Sequence, residues 1–139
     1  MINNDGLERF VAAQDGVYDR ALDELRRGRK TSHWMWFVFP QLAGLGTSAM
    51  SQRYAISTLA EARTYLAHPV LGPRLRECAA AVLAVDGRSA DQILGGIDAV
   101  KLRSSMTLFH RADPSEPLFS AVLDKYFDGA GDPATDELL

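Results

Sequence analysis

The sequence has little of several features that would indicate a particular class of protein. It contains one cysteine, Cys78, so a disulfide within the chain is excluded. Only three histidines occur, His33, His68 and His110, and none has the close spacing to a second metal ligand that is typical of a zinc site. We therefore expect neither a metal ion nor another cofactor, and we interpret Cys78 as a buried structural thiol.

The sequence also lacks a long hydrophobic run. Its longest apolar stretches, residues 34–40 and 78–85, fall well short of the ~20 residues that a membrane-spanning helix needs. No basic segment followed by an apolar run opens the sequence, so a secretory leader is not expected. These absences predict a soluble, cytoplasmic protein with no membrane partner.

A strong charge of either sign is absent as well. The net charge is −3, and 47% hydrophobic against 24% charged residues is the composition of an ordinary globular protein. This balance makes nucleic acid an unlikely class of partner. One basic run, residues 26–30, is interpreted either as the solvated end of a helix or as an anion-binding patch.

The dominant pattern is the apolar periodicity of amphipathic helices. Thr58 with Glu61, and Ser89 with Gln92, form capping boxes at two helix starts. The sequence predicts an all-α fold over residues 1–139, a single compact domain of five or six helices around an aromatic Trp/Phe-rich loop segment. Residues 37–39 are the one place where a short strand is possible.

Further helix starts are predicted in the last third of the chain. Asp98 is a candidate N-cap for a helix from about Ala99 to His110. Asp113 with Pro114, and Asp132 with Pro133, each combine a capping side chain with a proline at the first helical position.

The segment of residues 31–54 is the most unusual part of the chain, because it holds both tryptophans, Trp34 and Trp36. Together with a loop containing Gln41 and Ser48, they are suited to stack a planar ligand such as a nucleobase. The alternative is that the aromatic side chains form the core and that His33 satisfies a backbone group. Both interpretations can hold together, with one tryptophan in the core and the other lining a cleft.

A polar stripe is predicted on the helix that follows Asp98. The spacing of Asp98, Lys101 and Ser105 places them on one side of that helix. One hypothesis is that this stripe faces a cleft opposite the aromatic segment and binds an anionic ligand. The alternatives are a surface pair of Asp98 with Lys101 and, least favoured, a serine nucleophile activated by the lysine.

Three strings carry a resemblance to a known family: SHWMWFVFPQLAGLGTSAMSQRYAI at residues 32–56, YLAHPVLG at 65–72 and DAVKLRSSMTLF at 98–109. They closely resemble the bacterial family called domain of unknown function 1810, over nearly the whole chain. The resemblance implies a small, mostly helical, single-domain protein and no particular activity. Members are sometimes labelled calpastatin, but the sequence has none of the disordered inhibitory repeats that this name requires.

A looser resemblance is to the helical NADAR proteins, which are linked to ADP-ribose and to cleavage of N-glycosidic bonds. It lies in the Trp/His-bearing segment and in the helix at residues 98–109. Residues 132–139 lack the Trp-Gly pair associated with the end of that family, so no catalytic residue is transferred from it.

Two functions follow as hypotheses. The first is a pocket that binds a nucleotide or an ADP-ribose-like ligand, or hydrolyses its N-glycosidic bond, with Asp98 as the catalytic carboxylate and Glu61 as a second candidate. The ligand-binding candidates are His33, Trp34, Trp36, Gln41, Ser48, Arg53, Lys101 and Ser105. The second is a non-enzymatic interaction or regulatory module, for which a homodimer is possible.

Overall fold

The computed structural model of the protein describes residues 5–139, and this part of the chain contains ten α-helices and no β-strand. Residues 1–4, part of the segment on which the expectation about a secretory leader rests, lie outside the described residues. A 3₁₀ turn, Asp5–Leu7, precedes the first helix. The helices are α1 Glu8–Gln14, α2 Tyr18–Arg26, α3 Met35–Val38, α4 Ala49–Arg53, α5 Leu59–Ala67, α6 Leu71–Leu83, α7 Ala90–Leu94, α8 Gly96–Ala112, α9 Pro117–Phe127 and α10 Pro133–Leu138.

The all-α prediction is confirmed, whereas the predicted count of five or six helices is wrong. Helices α3 and α4, which the sequence did not predict, have only four and five residues. A helix shorter than two turns does not repeat its apolar positions often enough for a period of 3.6 residues to be recognised in the sequence.

Helix α8, with 17 residues, is the centre of the packing. It contacts α5, α7, α9 and α10. Leu102, Met106 and Phe109, which were predicted as its apolar face, are fully buried. Among residues 5–139, no helix combines the length and hydropathy that crossing a bilayer requires.

The Trp/Phe-rich segment is partly helical, which differs from the predicted loop. Met35–Val38 form α3, which packs against α1. Trp34 and Phe39, on either side of α3, are fully buried. The strand considered at residues 37–39 is therefore wrong. The single bridge recorded in the described chain pairs Leu42 with Ile56.

Three of the predicted helix starts are confirmed by side-chain hydrogen bonds. Ser89 forms a complete capping box with Gln92. The hydroxyl of Thr58 accepts a 3.1 Å hydrogen bond from the backbone N–H of Glu61. The carboxylate of Asp132 accepts one of 3.1 Å from the backbone N–H of Thr135. These signals act over three residues, so they are readable without tertiary contacts.

Two helix starts are corrected. Asp98 is not an N-cap, because Gly95, with φ of 90°, lets the chain pass directly from α7 into α8, which begins at Gly96. Asp98 therefore lies in the first turn of α8. Likewise α9 begins at Pro117 rather than at Pro114.

Candidate functional site

A cleft of about 350 Å³ separates residues 30–36 from the junction of α7 and α8. This volume lies within the range of small-molecule sites in proteins. The lining combines two lysines, one carboxylate, one histidine and one tryptophan with apolar and glycine residues: Lys30, His33, Met35, Trp36, Leu94, Gly95, Gly96, Ile97, Asp98 and Lys101. Residues far apart in the chain thus share one concave surface.

Two lysines converge on one carboxylate in this cleft. Lys30 Nζ lies 2.9 Å from Asp98 Oδ2, and Lys101 Nζ lies 3.5 Å from Asp98 Oδ1. The side chains of Lys30 and Lys101 are only 9% and 18% exposed, so both ammonium groups are held in place rather than moving freely in solvent. The three groups together carry one net positive charge.

Each lysine also contacts an aromatic ring. Lys101 Nζ lies 4.6 Å from the ring centre of Trp36, and Lys30 Nζ lies 5.2 Å from that of Trp34. Cation–π contacts of this kind favour a fixed position of the ammonium group. Trp36 is only partly buried and lines the cleft, whereas Trp34 lies in the core.

A buried carboxylate on α2, Glu24, fixes the segment that carries Lys30. Its oxygens accept hydrogen bonds from Thr31 N at 2.7 Å, Ser32 N at 3.1 Å, Ser32 Oγ at 2.6 Å and Trp34 Nε1 at 3.0 Å. Burial opposes ionisation of Glu24, but these hydrogen bonds, from the Ser32 hydroxyl first, outweigh it and lower its pKa to about 2. The carboxylate is therefore ionised at neutral pH, where it holds the loop by these hydrogen bonds.

The same segment is tied to the opposite side of the cleft. The backbone N–H of Lys30 donates to the carbonyl of Ile93 in α7 at 2.7 Å. With the Lys30–Asp98 ion pair, this bond joins residues 30–36 to the start of α8.

Gly95 and Gly96, where α8 begins, line the cleft. No side chain caps this helix end. The first backbone N–H groups of a helix have no partner within it, and they place a partial positive charge at its start. This charge adds to that of the two lysines.

Four of the predicted site residues come together in this cleft: His33, Trp36, Asp98 and Lys101. The aromatic segment and the start of the polar stripe on α8 therefore line the same cleft. The hypothesis of an anionic ligand between them requires this arrangement. His33 is exposed at the edge.

The remaining candidates lie elsewhere. Trp34 and Ser105 are fully buried and do not line the cleft. The backbone carbonyl of Gln41 accepts from Ile56, and Ser48 caps α4. The Arg53 guanidinium lies over the ring of Tyr54, and Glu61 accepts from the N–H of Ser57.

Sequence reasoning missed two residues of the arrangement. Lys30 belongs to the basic run of residues 26–30, and nothing in that run distinguishes a binding residue from the solvated end of a helix. Glu24 had a usable signal, since it lies between the apolar positions Ala21 and Leu25 on the inner side of α2. A carboxylate at such a position needs partners, and the Ser32 hydroxyl and the Trp34 indole N–H are donors within ten residues of it.

The lone thiol of the chain, that of Cys78, lies in the core and does not line the cleft. Cys78 is buried, and burial raises the pKa of its thiol to about 12. Residues 5–139 contain no group of three His, Cys, Asp or Glu side chains near enough to one another to hold a metal ion.

Fold and cleft together define a small all-α protein with a lysine-lined pocket at the start of its central helix. The chain belongs to the family described as protein of unknown function DUF1810, whose model matches residues 4–139. It is similar to a conserved hypothetical protein, Rv1873 from Mycobacterium tuberculosis, known from a crystal structure. The two are 53% identical, with a TM-score of 0.96 over 99% of this chain and 98% of that one. No curated protein matches the chain.

Proposed function

We propose that the protein binds a small anionic ligand with a planar ring, such as a nucleotide, in the cleft between residues 30–36 and the start of α8. The observation that carries this proposal is the convergence of Lys30 and Lys101 on Asp98 beside the ring of Trp36. A single ion pair at a protein surface is ordinary, but two largely buried lysines sharing one carboxylate leave a positive charge uncompensated.

The anionic part of the ligand binds at the two lysines. Their ammonium groups are already desolvated and fixed, so little side-chain entropy is lost when an oxyanion approaches. The uncapped N-terminus of α8 at Gly96 adds backbone donors to the same region. These features support an anion site built from three separate elements of the chain.

The planar part of the ligand packs against Trp36. Met35, Leu94 and Ile97 supply the apolar surroundings that a ring requires. Stacking of a base on an aromatic side chain contributes about 1–3 kcal/mol. A ligand with both parts uses every kind of side chain that lines the cleft.

We propose binding rather than hydrolysis of an N-glycosidic bond. Glycoside hydrolysis uses two carboxyl groups on either side of the scissile bond. Of the described residues, Asp98 is the one carboxylate that lines the cleft, and both lysines are paired with it. Asp98 as a catalytic residue therefore has less support than Asp98 as part of a binding site.

Calorimetric titration with AMP, together with thermal unfolding, tests this proposal. Trp36→Leu and Lys101→Gln should each weaken binding about tenfold or more, since each loses a contact worth about 1–3 kcal/mol. Arg20→Gln, which removes one exposed positive charge on α2 outside the cleft, is the matched control and should bind as the wild type does. AMP at ~100 times its dissociation constant should stabilise the wild type by about 2.7 kcal/mol. Equal affinity in all three variants contradicts the proposal.

A second candidate function, a non-enzymatic interaction module, is favoured by two exposed apolar residues. Ile97 and Val100 lie one turn apart on α8, with 78% and 60% of their surface exposed. Apolar side chains in that position are suited to contact another protein or a second copy of the chain. Sedimentation of the wild type and of Ile97→Asp tests this: a dimer that the variant dissociates supports the module, and a monomer at every concentration counts against the homodimer.

A further inference from the structure

We propose, resting on the proposed function, that the anionic group of the ligand is a phosphate monoester in its dianionic form. The cleft then takes a compound that ends in a phosphate group, such as a mononucleotide, in preference to a phosphodiester or a sulfate ester. A phosphate monoester carries close to two negative charges at neutral pH and has three terminal oxygens. Both properties match what the cleft offers.

The first match is in charge. The ammonium groups of Lys30 and Lys101 stand against the single carboxylate of Asp98, and the start of α8 at Gly95 and Gly96 adds a partial positive charge to the same cleft. The sum is positive, so the attraction increases with the negative charge that the ligand brings. A dianion is therefore attracted more strongly than a monoanion of the same shape.

The cost of removing water from a doubly charged group does not cancel this attraction, because the cleft is open to solvent. Ile97, which lines it, is 78% exposed, and His33 is exposed at its edge. A phosphate group at Lys30 and Lys101 therefore keeps part of its hydration. The two lysines, in contrast, are already largely withdrawn from solvent and fixed, so they reorganise little when they bind it.

The second match is in the number of donors. Lys30 lies after α2, Lys101 lies in the second turn of α8, and the N–H groups of the first turn of α8 have no partner within the helix. A Cβ atom added at Gly95 or Gly96 would have no atom of the described chain within 4 Å, so the space beside this backbone is open. Three donor groups fit the three terminal oxygens of a monoester, whereas a phosphodiester has only two.

Three derivatives of adenosine separate charge from oxygen number in the wild-type protein. At pH 8, AMP has about two charges and three terminal oxygens, adenosine 5′-sulfate has one charge and three such oxygens, and the methyl ester of AMP has one charge and two. For each net positive charge at ~6 Å, and an effective dielectric constant of about 40, the extra ligand charge strengthens binding about tenfold. We expect calorimetric titration to show AMP binding at least that much more tightly than the sulfate, and the methyl ester binding no more tightly than the sulfate. A sulfate or a methyl ester that binds as tightly as AMP overturns the proposal.

Lys101→Gln tests whether the preference for AMP arises in this cleft. The variant leaves Lys30 balanced by Asp98, so only the partial charge of the helix start remains, and the preference for AMP over the sulfate should fall to about threefold or less. Arg20→Gln, on α2 outside the cleft, is the matched control and should keep the preference of the wild type. Thermal unfolding checks that each variant is folded, and Lys30→Gln makes the same change of charge from the other side of the cleft. A preference that both lysine variants leave unchanged overturns its assignment to these side chains.

Methyl phosphate and dimethyl phosphate, followed through the backbone amide resonances of Gly95 and Gly96, separate this inference from the proposed function. Neither probe contains a ring, so neither needs Trp36. If AMP binds no more tightly than methyl phosphate, but methyl phosphate binds more tightly than dimethyl phosphate, the planar ligand is wrong and the monoester preference stands. If AMP and its methyl ester bind equally and both depend on Trp36, the proposed function stands and the preference is wrong. No binding of any probe overturns both.

Discussion

The indole Nε1–H of Trp34 donates a 3.0 Å hydrogen bond to the buried carboxylate of Glu24. The tryptophan lies in the core, and the ring of Trp34 in turn supports the ammonium group of Lys30. Glu24 does not line the cleft, but through Trp34 it sets the position of Lys30, one of the two lysines that do.

The first prediction concerns the pH dependence of stability. The pKa of Glu24 falls from an ordinary 4.5 to about 2 on folding, so its contribution is fully present above about pH 5 and is lost as the pH falls towards 2. We expect Glu24→Gln to lower the free energy of unfolding at pH 7 by roughly 2 kcal/mol, less than the full shift implies because the surrounding loop is solvated. Urea unfolding at pH 7, 5 and 3 should show the difference between the two proteins shrinking as the pH falls.

Asp136→Asn is the matched control for that experiment. Its pKa is also lowered, by the hydrogen bond from Arg111, but the pair is exposed. Exposed ion pairs contribute at most about 1 kcal/mol. A loss in Asp136→Asn as large as that in Glu24→Gln would contradict the role given to the buried carboxylate.

The second prediction uses the two tryptophans, the only two in the chain, as reporters. Trp34 is fully buried and Trp36 lines the cleft. We expect acrylamide to quench mainly the fluorescence of Trp36, so Trp36→Phe should leave an emission that is far less sensitive to the quencher. A ligand in the cleft should protect the wild type in the same way. Unchanged quenching in Trp36→Phe would place the accessible indole elsewhere.

The third prediction concerns the close approach of α6 to the end of α5. A Cβ atom at Gly72 would lie 2.2 Å from the carbonyl oxygen of Leu66, a backbone atom that cannot move away as a flexible side chain does. We expect Gly72→Ala to lower the free energy of unfolding by about 3 kcal/mol, the upper end of the range for overpacking. Gly96→Ala is the control, because no atom lies within 4 Å of its added Cβ, and it should be neutral or slightly stabilising.

The fourth prediction concerns the aromatic core around α8. The ring centre of Phe109 lies 5.3 Å from the ring centre of Tyr65 and 5.9 Å from that of Phe119. All three residues are fully buried. Phe109→Ala should lower the free energy of unfolding by about 3–5 kcal/mol, since it removes a buried ring and leaves a cavity. Ile97→Ala, on the exposed side of the same helix, should change it by no more than about 0.5 kcal/mol. Chemical unfolding of the two variants compares these positions directly.

Much of the helical architecture could be predicted from local sequence. The capping box of Ser89 with Gln92 and the apolar face of Leu102, Met106 and Phe109 depend on residues within a few turns of one another. The short helix α3 could not be predicted, because its four residues are apolar and contain no period. Its conformation follows from burial against α1.

Only part of the candidate site could be predicted, because some of its residues are marked by local sequence and others only by tertiary contacts. Composition and spacing singled out Trp36, Asp98 and Lys101, since unusual residues and an i, i+3 pair are properties of short stretches. The pairing of Lys30 with Asp98 joins positions 68 residues apart, and nothing local distinguishes Lys30 from its basic neighbours. Tertiary packing decided which tryptophan faces the core and which distant lysine joins Lys101 at the carboxylate of Asp98. Burial and ion pairing act between elements that only the folded chain brings together.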